Sequence, residues 1–304
     1  MSARVFFACV SITLFAVFLT FATDFRAPAT ARGATEVPTT ANPAPELPPA
    51  TGYRLGVFPF LPALTLDRVF ALVVGDLGAG LGRTVHFRTK SNFRAFAEAL
   101  AGGTYDFIFV HPFFYVAAAD DLHYEPIARL RDPLVVVVLA REDSAIENLG
   151  DLTGRTLGLP PRLAAVSEIA LGSLETRGIA PERDLRIRHF QSKMSCLLAV
   201  VMGKIDACGL PRFALAHLEL SRSKDLKIVH ESDPFPSLVF AAHPRVPAAD
   251  RKRLEHLILG WEKSAGGKEI LEAGRWGGFV AARDEDYDPI RRLDRRRREL
   301  SRRP

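Results

Sequence analysis

The sequence predicts an α/β protein with two doubly wound lobes and an apolar segment before them. Two observations support this fold class. From Tyr53 onward, short apolar stretches of strand length alternate with stretches whose apolar residues recur at helical spacing, and this alternation occurs twice. The chain has 304 residues, 48% of them hydrophobic, which is enough to fill two cores of medium size.

The alternating pattern assigns strands, helices and lobes along the chain. Unbroken apolar strands such as residues 105–110 favour a parallel sheet covered by helices. Two lobes follow, formed by residues 53–137 with 238–290 and by residues 138–237, with an Arg-rich tail at 291–304. Strands are predicted at residues 53–57, 85–87, 105–110, 134–139, 156–159, 185–190, 205–210, 226–229 and 238–241. Helices are predicted around residues 66–77, 93–100, 166–174, 197–201, 213–220 and 254–261.

A glycine cluster follows the first predicted helix. Gly78, Gly80 and Gly82 come directly after its last apolar residue. A dinucleotide-binding glycine motif must follow a strand, so this cluster does not predict a phosphate loop. We interpret the three glycines as the end of the helix.

The net charge of +5 does not indicate a nucleic-acid-binding face. Residues 291–304 hold eight Arg against one Asp and one Glu, a net charge of +6. The other 290 residues therefore carry a net charge of −1. We predict no nucleic-acid partner, and we interpret the tail as a solvated helix end or a disordered extension, with anionic lipid contact as a lesser alternative.

The N-terminal segment predicts export from the cytoplasm. Residues 5–22 are eighteen uncharged, mostly apolar residues, and residues 1–25 are therefore interpreted as a signal peptide or a membrane anchor. Residues 26–52 form an Ala/Pro/Thr-rich linker that has little to bury. Both alternatives place the remaining chain in the periplasm or another extracytoplasmic space, and an uncleaved segment would anchor it to the inner membrane.

The three cysteines exclude a scaffold held by several disulfides. Cys9 lies inside the apolar N-terminal stretch. Cys196 and Cys208 could pair in an oxidising compartment, but Cys196 begins a predicted helix and Cys208 lies in a predicted strand, so we favour two buried thiols.

Five short stretches occur in the order and spacing of one protein family. They are Leu55-Gly56-Val57 with Pro59; residues 103–106 running into His111, Pro112 and Tyr115; residues 142–144 followed by 151–155; residues 199–207; and residues 278–280 with 284–291. On these stretches the chain, from residue 53 to about 293, resembles the phosphate, phosphite and phosphonate solute-binding proteins of ABC transporters. The resemblance implies a type II periplasmic binding fold with a ligand cleft between the two lobes. It also implies a small anionic ligand, an ABC permease as partner and a ligand contact at Tyr115.

Two departures from the family pattern affect the ligand. Residues 160–167 (PPRLAAVS) stand where the family commonly carries a Ser-Thr-Ser run that grips phosphonate oxygens. Lys193 and Met194 stand where the family commonly carries a His-Asp pair. Two expected ligand contacts are therefore replaced, and phosphonate specificity is not transferred from the resemblance.

Candidate ligand-binding residues follow the carboxyl ends of the predicted strands, where ligands bind in doubly wound sheets. Arg162, Lys193 and Arg212 could hold an oxyanion, although solvated loop cations are the alternative. His111 could donate to a ligand or simply end a strand, and the two phenylalanines could line the cleft or pack the lobe. The full candidate set is Phe58, Phe60, Thr89, His111, Tyr115, Arg162, Ser167, Ser192, Lys193 and Arg212.

The predicted function is the solute-binding component of an ABC-type transporter, for a small phosphate-like or phosphonate-like oxyanion. The alternative is a ligand-sensing or scaffold protein of the same fold that acts with a membrane signalling partner. An enzyme is not predicted, because G-x-S-x-G, H-E-x-x-H and G-x-x-x-x-G-K-[ST] are missing from the sequence. No catalytic residue, cofactor or metal ion is expected.

The Lys193 ammonium should favour an anion at neutral pH, because it is charged without gaining a proton. Lys193→Ala is therefore expected to weaken oxyanion binding by about 1.5 to 3 kcal/mol, the range for hydrogen bonds to charged groups. Arg162→Ala should act in the same direction if its side chain points into the cleft, and less if it is solvated. Isothermal titration measures both variants, and unchanged affinity in both would place the anion elsewhere or show that the ligand is not an anion.

Overall fold

The computed structural model describes residues 52–217 and 225–301, which belong to one compact unit spanning residues 47–304. The predicted signal segment and nearly all of the linker lie outside the described residues. Within the described ranges, no helix is both long and apolar enough to cross a membrane. In chain order the elements are β1 (Tyr53–Val57), α1 (Ala63–Leu81), β2 (Val85–Arg88), α2 (Phe93–Ala101), β3 (Phe107–Val110), α3 (Pro112–Leu122), β4 (Glu125–Leu130), β5 (Val136–Arg141), β6 (Thr156–Leu159), α4 (Ala165–Thr176), β7 (Arg186–His189), α5 (Lys193–Val201), β8 (Ala207–Pro211), β9 (Leu226–Glu231), β10 (Val239–Ala242), α6 (Ala248–Gly260), α7 (Ala265–Gly274), β11 (Phe279–Ala281) and α8 (Asp288–Ser301).

Two mixed sheets form the two lobes. The first sheet has the strand order β11-β4-β10-β3-β1-β2, and the second has the order β7-β6-β8-β5-β9. β1, β2 and β3 run parallel, whereas β10 pairs antiparallel with β3 and β4. The chain crosses to the second sheet between β4 and β5 and returns between β9 and β10. The predicted α/β fold class is confirmed, with mixed sheets in place of purely parallel ones.

The apolar stretch before residue 140 forms a strand that is displaced from its predicted position. β5 covers residues 136–141, and it pairs antiparallel with β8 and β9 on its two sides. All of β5 therefore belongs to the second sheet, and the predicted crossing point at residue 137 falls inside it. A buried central strand needs apolar residues on both faces whatever the direction of its neighbours, so the run of valines did not reveal strand direction.

Helix α1 buries the face that the sequence predicts. Its buried residues include Leu66, Phe70 and Leu77. The glycine cluster acts differently from the expectation, because the helix continues to Leu81 and only Gly82, at φ 64°, caps it. Gly80 lies inside α1, where a Cβ would come within 2.4 Å of a methyl carbon of Leu257 on α6. Gly80 is therefore explained by close helix packing.

Several elements differ from the sequence prediction or were not predicted. Helix α3, strand β4 and helix α7 have no counterpart in the prediction. Residues 212–217 form a 3-10 turn where a helix over 213–220 was expected, and residues 218–224 lie outside the described residues. Helix α3 was not predicted, because it begins with Pro112 and a run of apolar residues. Its sequence therefore lacks the alternation of polar and apolar residues at helical spacing that identifies a helix.

Cys196 and Cys208 form a disulfide, with a Cα–Cα distance of 6.0 Å. The prediction of two buried thiols is wrong. Helix α5 packs on the face of the second sheet that Cys208 enters, and both cysteines belong to one buried cluster. Gly158 on β6 leaves room there, because a Cβ would lie 2.6 Å from the Cys196 sulfur. The sequence did not predict this disulfide, because the assignment of one cysteine to a helix and the other to a strand does not show which face of the sheet the helix packs on.

The Arg-rich segment is part of a packed helix. In α8, Ile290 is fully buried against the first lobe, and Arg291 pairs with Asp120 and Asp284 at 3.0 and 2.7 Å. Leu293 packs against Gly172 of α4 in the second lobe.

Further along α8, Arg297 contacts the same helix of the second lobe. Its guanidinium lies 2.9 Å from Glu168 and 3.5 Å from Glu175, both on α4. A disordered extension is therefore wrong for residues 291–301, which are helical, while Arg292, Arg295 and Arg296 are exposed as expected for a solvated helix end. Through Arg291, Leu293 and Arg297, α8 contacts both lobes. A charge count could not show this, because acidic partners of Arg come from distant parts of the chain.

The disulfide should stabilise the second lobe. Replacing both cysteines, Cys196→Ser with Cys208→Ser, should lower the free energy of unfolding by about 3 kcal/mol, as expected for a loop of this length. Urea denaturation followed by circular dichroism measures the change. The wild type with its disulfide reduced is the control and should match the double variant, and an unchanged unfolding midpoint in both would contradict a closed disulfide in the folded protein.

Candidate functional site

The candidate site lies where the carboxyl ends of strands from both sheets meet. His111 directly follows β3 and begins α3 as its N-cap. Its ring lies 4.1 Å from the ring of Phe114 and 5.1 Å from that of Phe58, measured between centroids. Phe93 and Phe113 complete the aromatic surroundings at 6.2 and 6.3 Å. His111 is therefore enclosed by aromatic rings and is only 2% exposed.

One nitrogen of His111 is satisfied by the protein and the other is not. Nδ1 accepts a hydrogen bond from the backbone N–H of Phe114 at 3.4 Å, which places the ring proton of the neutral tautomer on Nε2. Nε2 is buried and has no hydrogen-bond partner among the described residues. Desolvation lowers the pKa of His111 to about 3, while the backbone carbonyl of Leu163 acts in the opposite direction as a weak acceptor, too poorly aligned to make a hydrogen bond of normal geometry with Nε2. His111 therefore presents a neutral, buried N–H donor.

Helix α4 of the second lobe begins next to His111. Leu163, whose backbone contacts the His111 ring, lies two residues before the first residue of α4. The N-cap is Ala164, which has no side chain to cap the helix. The backbone N–H groups of Ala165 and Val166 make no hydrogen bond within the described residues. Free amides at a helix N-terminus attract anions. We call His111 Nε2 with these two amides the anion cradle.

Two of the three predicted cations are held by acids of their own lobe. Arg162 lies 2.5 Å from Glu182, and Arg212 pairs with Glu231. Lys193, the first residue of α5, instead has its ammonium 4.8 Å from the centroid of the Phe213 ring. Desolvation lowers the pKa of Lys193. Of the three predicted cations, Lys193 is therefore the one without an acidic partner among the described residues. Because Arg162 is paired, Arg162→Ala should weaken oxyanion binding less than Lys193→Ala.

Several other predicted site residues are engaged within the fold. Tyr115 is fully buried and donates its hydroxyl to Asp284 at 2.6 Å. Ser167 is fully buried and donates to the carbonyl of Pro160 at 3.0 Å, which shapes the turn into α4. Ser192 caps α5 by accepting from the backbone N–H of Ser195 at 3.0 Å. These side chains position the elements that border the cleft.

The remaining predicted residues lie beside His111 or on the neighbouring loop. Phe58 is 4% exposed and stacks on Phe60 at 4.7 Å between centroids. Thr89 follows β2, and its hydroxyl oxygen is buried with no hydrogen-bond partner among the described residues. Ligand contact by these residues stays a prediction.

Sequence reasoning missed the amides of Ala165 and Val166. Alanine and valine side chains carry no chemical signal for anion binding. A usable signal was present, because the helix predicted after Pro160-Pro161 begins without a Ser, Thr, Asp or Asn to cap it. Such a helix leaves its first amides available to a ligand.

The comparisons with known proteins agree with this architecture. A family model described as "ABC transporter, phosphonate, periplasmic substrate-binding protein" matches residues 55–287. No curated protein matches the sequence.

Solved structures with the same fold are similar over most of the chain. A binding protein component of an ABC phosphonate transporter from Pseudomonas aeruginosa is 18% identical, with a TM-score of 0.67 over 80% of this chain and 85% of that one. PhnD1 from Prochlorococcus marinus, in complex with methylphosphonate, is 18% identical, with a TM-score of 0.70 over 81% and 98%. A Xanthomonas citri protein bound to ATP is 17% identical, with a TM-score of 0.71 over 80% and 96%. These likenesses support the fold.

The burial of neutral His111 should make stability depend on pH. The folded-state pKa of about 3 lies below the ordinary value of 6.5, so this stability is fully present above pH 6.5 and is lost as the pH falls toward 3. Between pH 6.5 and 5, the wild type should lose about 2 kcal/mol of unfolding free energy through this group. His111→Asn should avoid that loss, because Asn accepts from the Phe114 N–H without titrating. Urea denaturation at the two pH values measures the difference.

His123→Asn is the matched control for this experiment. His123 is exposed and caps the other end of α3 at φ 60°, a conformation that Asn tolerates. This variant should lose as much stability as the wild type on acidification. An equal loss in His111→Asn would show that His111 is not buried in its neutral form.

Proposed function

Because this chain belongs to the family of periplasmic substrate-binding proteins of phosphonate ABC transporters, matched over residues 55–287, we propose that it binds a small oxyanion of the phosphonate class. The ligand lies in the anion cradle between the lobes, and the closed protein delivers it to an ABC permease. The family is one of substrate-binding proteins and is periplasmic. Binding and release without chemical change of the ligand is the role proposed for this chain.

The observation that carries this proposal is the unpartnered Nε2 of His111 beside the uncapped start of α4. An N–H buried without an acceptor costs about 1 to 3 kcal/mol, and an oxyanion would remove that cost. The amides of Ala165 and Val166 supply further donors and the positive end of the α4 dipole. Donors from both lobes would then meet on one ligand, which couples binding to closure.

The cradle suits an anion even though its donors are neutral. Backbone amides and a neutral imidazole hold charge by hydrogen bonding, and such bonds to an ionised acceptor are about twice as strong as neutral ones. Lys193 adds a positive charge at the start of α5, where its ammonium lies over the ring of Phe213. The replaced Ser-Thr-Ser hydroxyls are thus compensated by groups that the fold already supplies.

Contacts between the lobes support closure around the ligand. Phe113 and Phe235 each pack against buried clusters of both lobes. We propose two lobes that move about the two connecting segments, with all of β5 in the second: residues 53–135 with 238–290, and residues 136–237. Helix α8 binds both lobes as well, so it limits how far they separate. The N-terminal 25 residues, cleaved or retained, would export the protein.

Similar proteins offer further support for the ligand class. PhnD1 from Prochlorococcus marinus was solved with methylphosphonate, and the Xanthomonas citri protein was solved with ATP, which also carries phosphoryl oxygens. The shared feature is a tetrahedral phosphorus oxyanion. This feature matches a cradle built from hydrogen-bond donors.

Isothermal titration with methylphosphonate, phosphate, sulfate and acetate tests the proposal. Methylphosphonate or phosphate should bind, and Ala165→Pro should weaken that binding about tenfold, because proline removes one charge-assisted hydrogen bond of the cradle. Proline is tolerated at the first residue of a helix, so α4 should still form.

Ala265→Pro provides the matched control, since Ala265 is the first residue of α7 and that helix is capped by Ser264. Its affinity should equal that of the wild type. If no tetrahedral oxyanion binds, or if both proline variants bind equally well, the anion cradle is not the ligand site.

A further inference from the structure

Exposed large hydrophobic residues concentrate at one edge of the protein. In the part of the chain that the structure describes, six such residues are prominently exposed. Four of them follow the carboxyl ends of strands at the cleft, and two, Met202 and Ile228, lie elsewhere. The four are Leu64 at 73%, Leu163 at 40%, Met194 at 48% and Phe213 at 60% exposure. We call these four residues the apolar rim.

The strand order brings three rim residues together. β6 pairs with β7 on one side and with β8 on the other, all in parallel. Leu163, Met194 and Phe213 follow β6, β7 and β8, so they lie on adjacent loops of the second lobe. Leu64 follows β1, at the corresponding edge of the first lobe. Isolated apolar residues on a surface are ordinary, whereas a group at a binding edge marks a contact surface.

The rim continues the apolar lining of the anion cradle. His111 is surrounded by phenylalanine rings, and Phe60 stacks on one of them. Leu163 belongs to both regions, because its backbone contacts His111 while its side chain is exposed. An apolar surface therefore runs from the buried donors to the solvent.

Two glutamates at this edge are already paired. Glu182 is neutralised by Arg162, and Glu231 by Arg212. A ligand with an ammonium group would have to break one of these pairs to find a carboxylate. An apolar substituent requires no such rearrangement.

We propose that the ligand is a phosphonate whose organic substituent is an apolar aryl or alkyl group larger than methyl. This inference rests on the proposed function. The phosphonate head binds in the anion cradle, and the substituent extends along Leu163 to Met194 and Phe213, which it removes from water. The rim thereby determines specificity for the substituent, while the cradle determines specificity for the head.

The experiment compares methylphosphonate with phenylphosphonate by isothermal titration. Their head groups are the same, so the ratio of the two affinities reports the substituent alone. Phenylphosphonate should bind about tenfold more tightly to the wild type, as burial of part of an aromatic ring predicts. The double variant Met194→Ala with Phe213→Ala should bring the ratio close to 1, because the substituent then loses its apolar contacts.

Met202→Ala is the matched control, since Met202 is 62% exposed at the far end of α5. It should keep the wild-type ratio. Equal binding of the two phosphonates by the wild type would overturn the inference and leave the proposed function standing, and so would a ratio that the double variant does not change. Such a rim would serve a macromolecular partner instead. Failure of both ligands to bind would overturn the proposed function and this inference together.

Discussion

The enclosure of the His111 ring between the lobes is the constraint on which the site depends. A ring that is 2% exposed and surrounded by phenylalanines must be neutral, because a charged ring would lose its hydration without gaining an acid. The Phe114 amide then fixes which nitrogen carries the proton. The other nitrogen, Nε2, then carries the proton and is buried. In the proposed site this N–H would donate to the ligand.

The second lobe is arranged to support the same space. A disulfide fastens α5 to β8, and Ser167 fixes the turn before α4. Arg297 of α8 forms ion pairs with two glutamates of α4. The C-terminal segment therefore helps to fix the position of α4, whose first amides are free. Partial burial of this contact raises the pKa values of Glu168 and Glu175 through desolvation. A disulfide also suits a protein of an oxidising compartment.

Charge at the cleft is balanced differently from what loop composition suggests. Arg162 and Arg212 are bound to glutamates, and the donors that remain are mainly neutral. Neutral donors attract anions over a shorter range than cations do, because they carry no net charge. In the proposed site, selection between ligands would then depend on hydrogen-bond geometry in the cradle and on apolar contact at the rim.

The sequence by itself determined the alternation of strands and helices, the apolar face of α1 and the position of His111 after a strand. Those features depend on local periodicity and on residue type, which a single chain displays. Tertiary structure alone decided strand direction in β5, the Cys196–Cys208 bond and the partners of the arginines. It also decided that the segment before α4 lies against His111. These outcomes depend on which distant segments of the chain pack against one another. Local residue spacing does not show that packing.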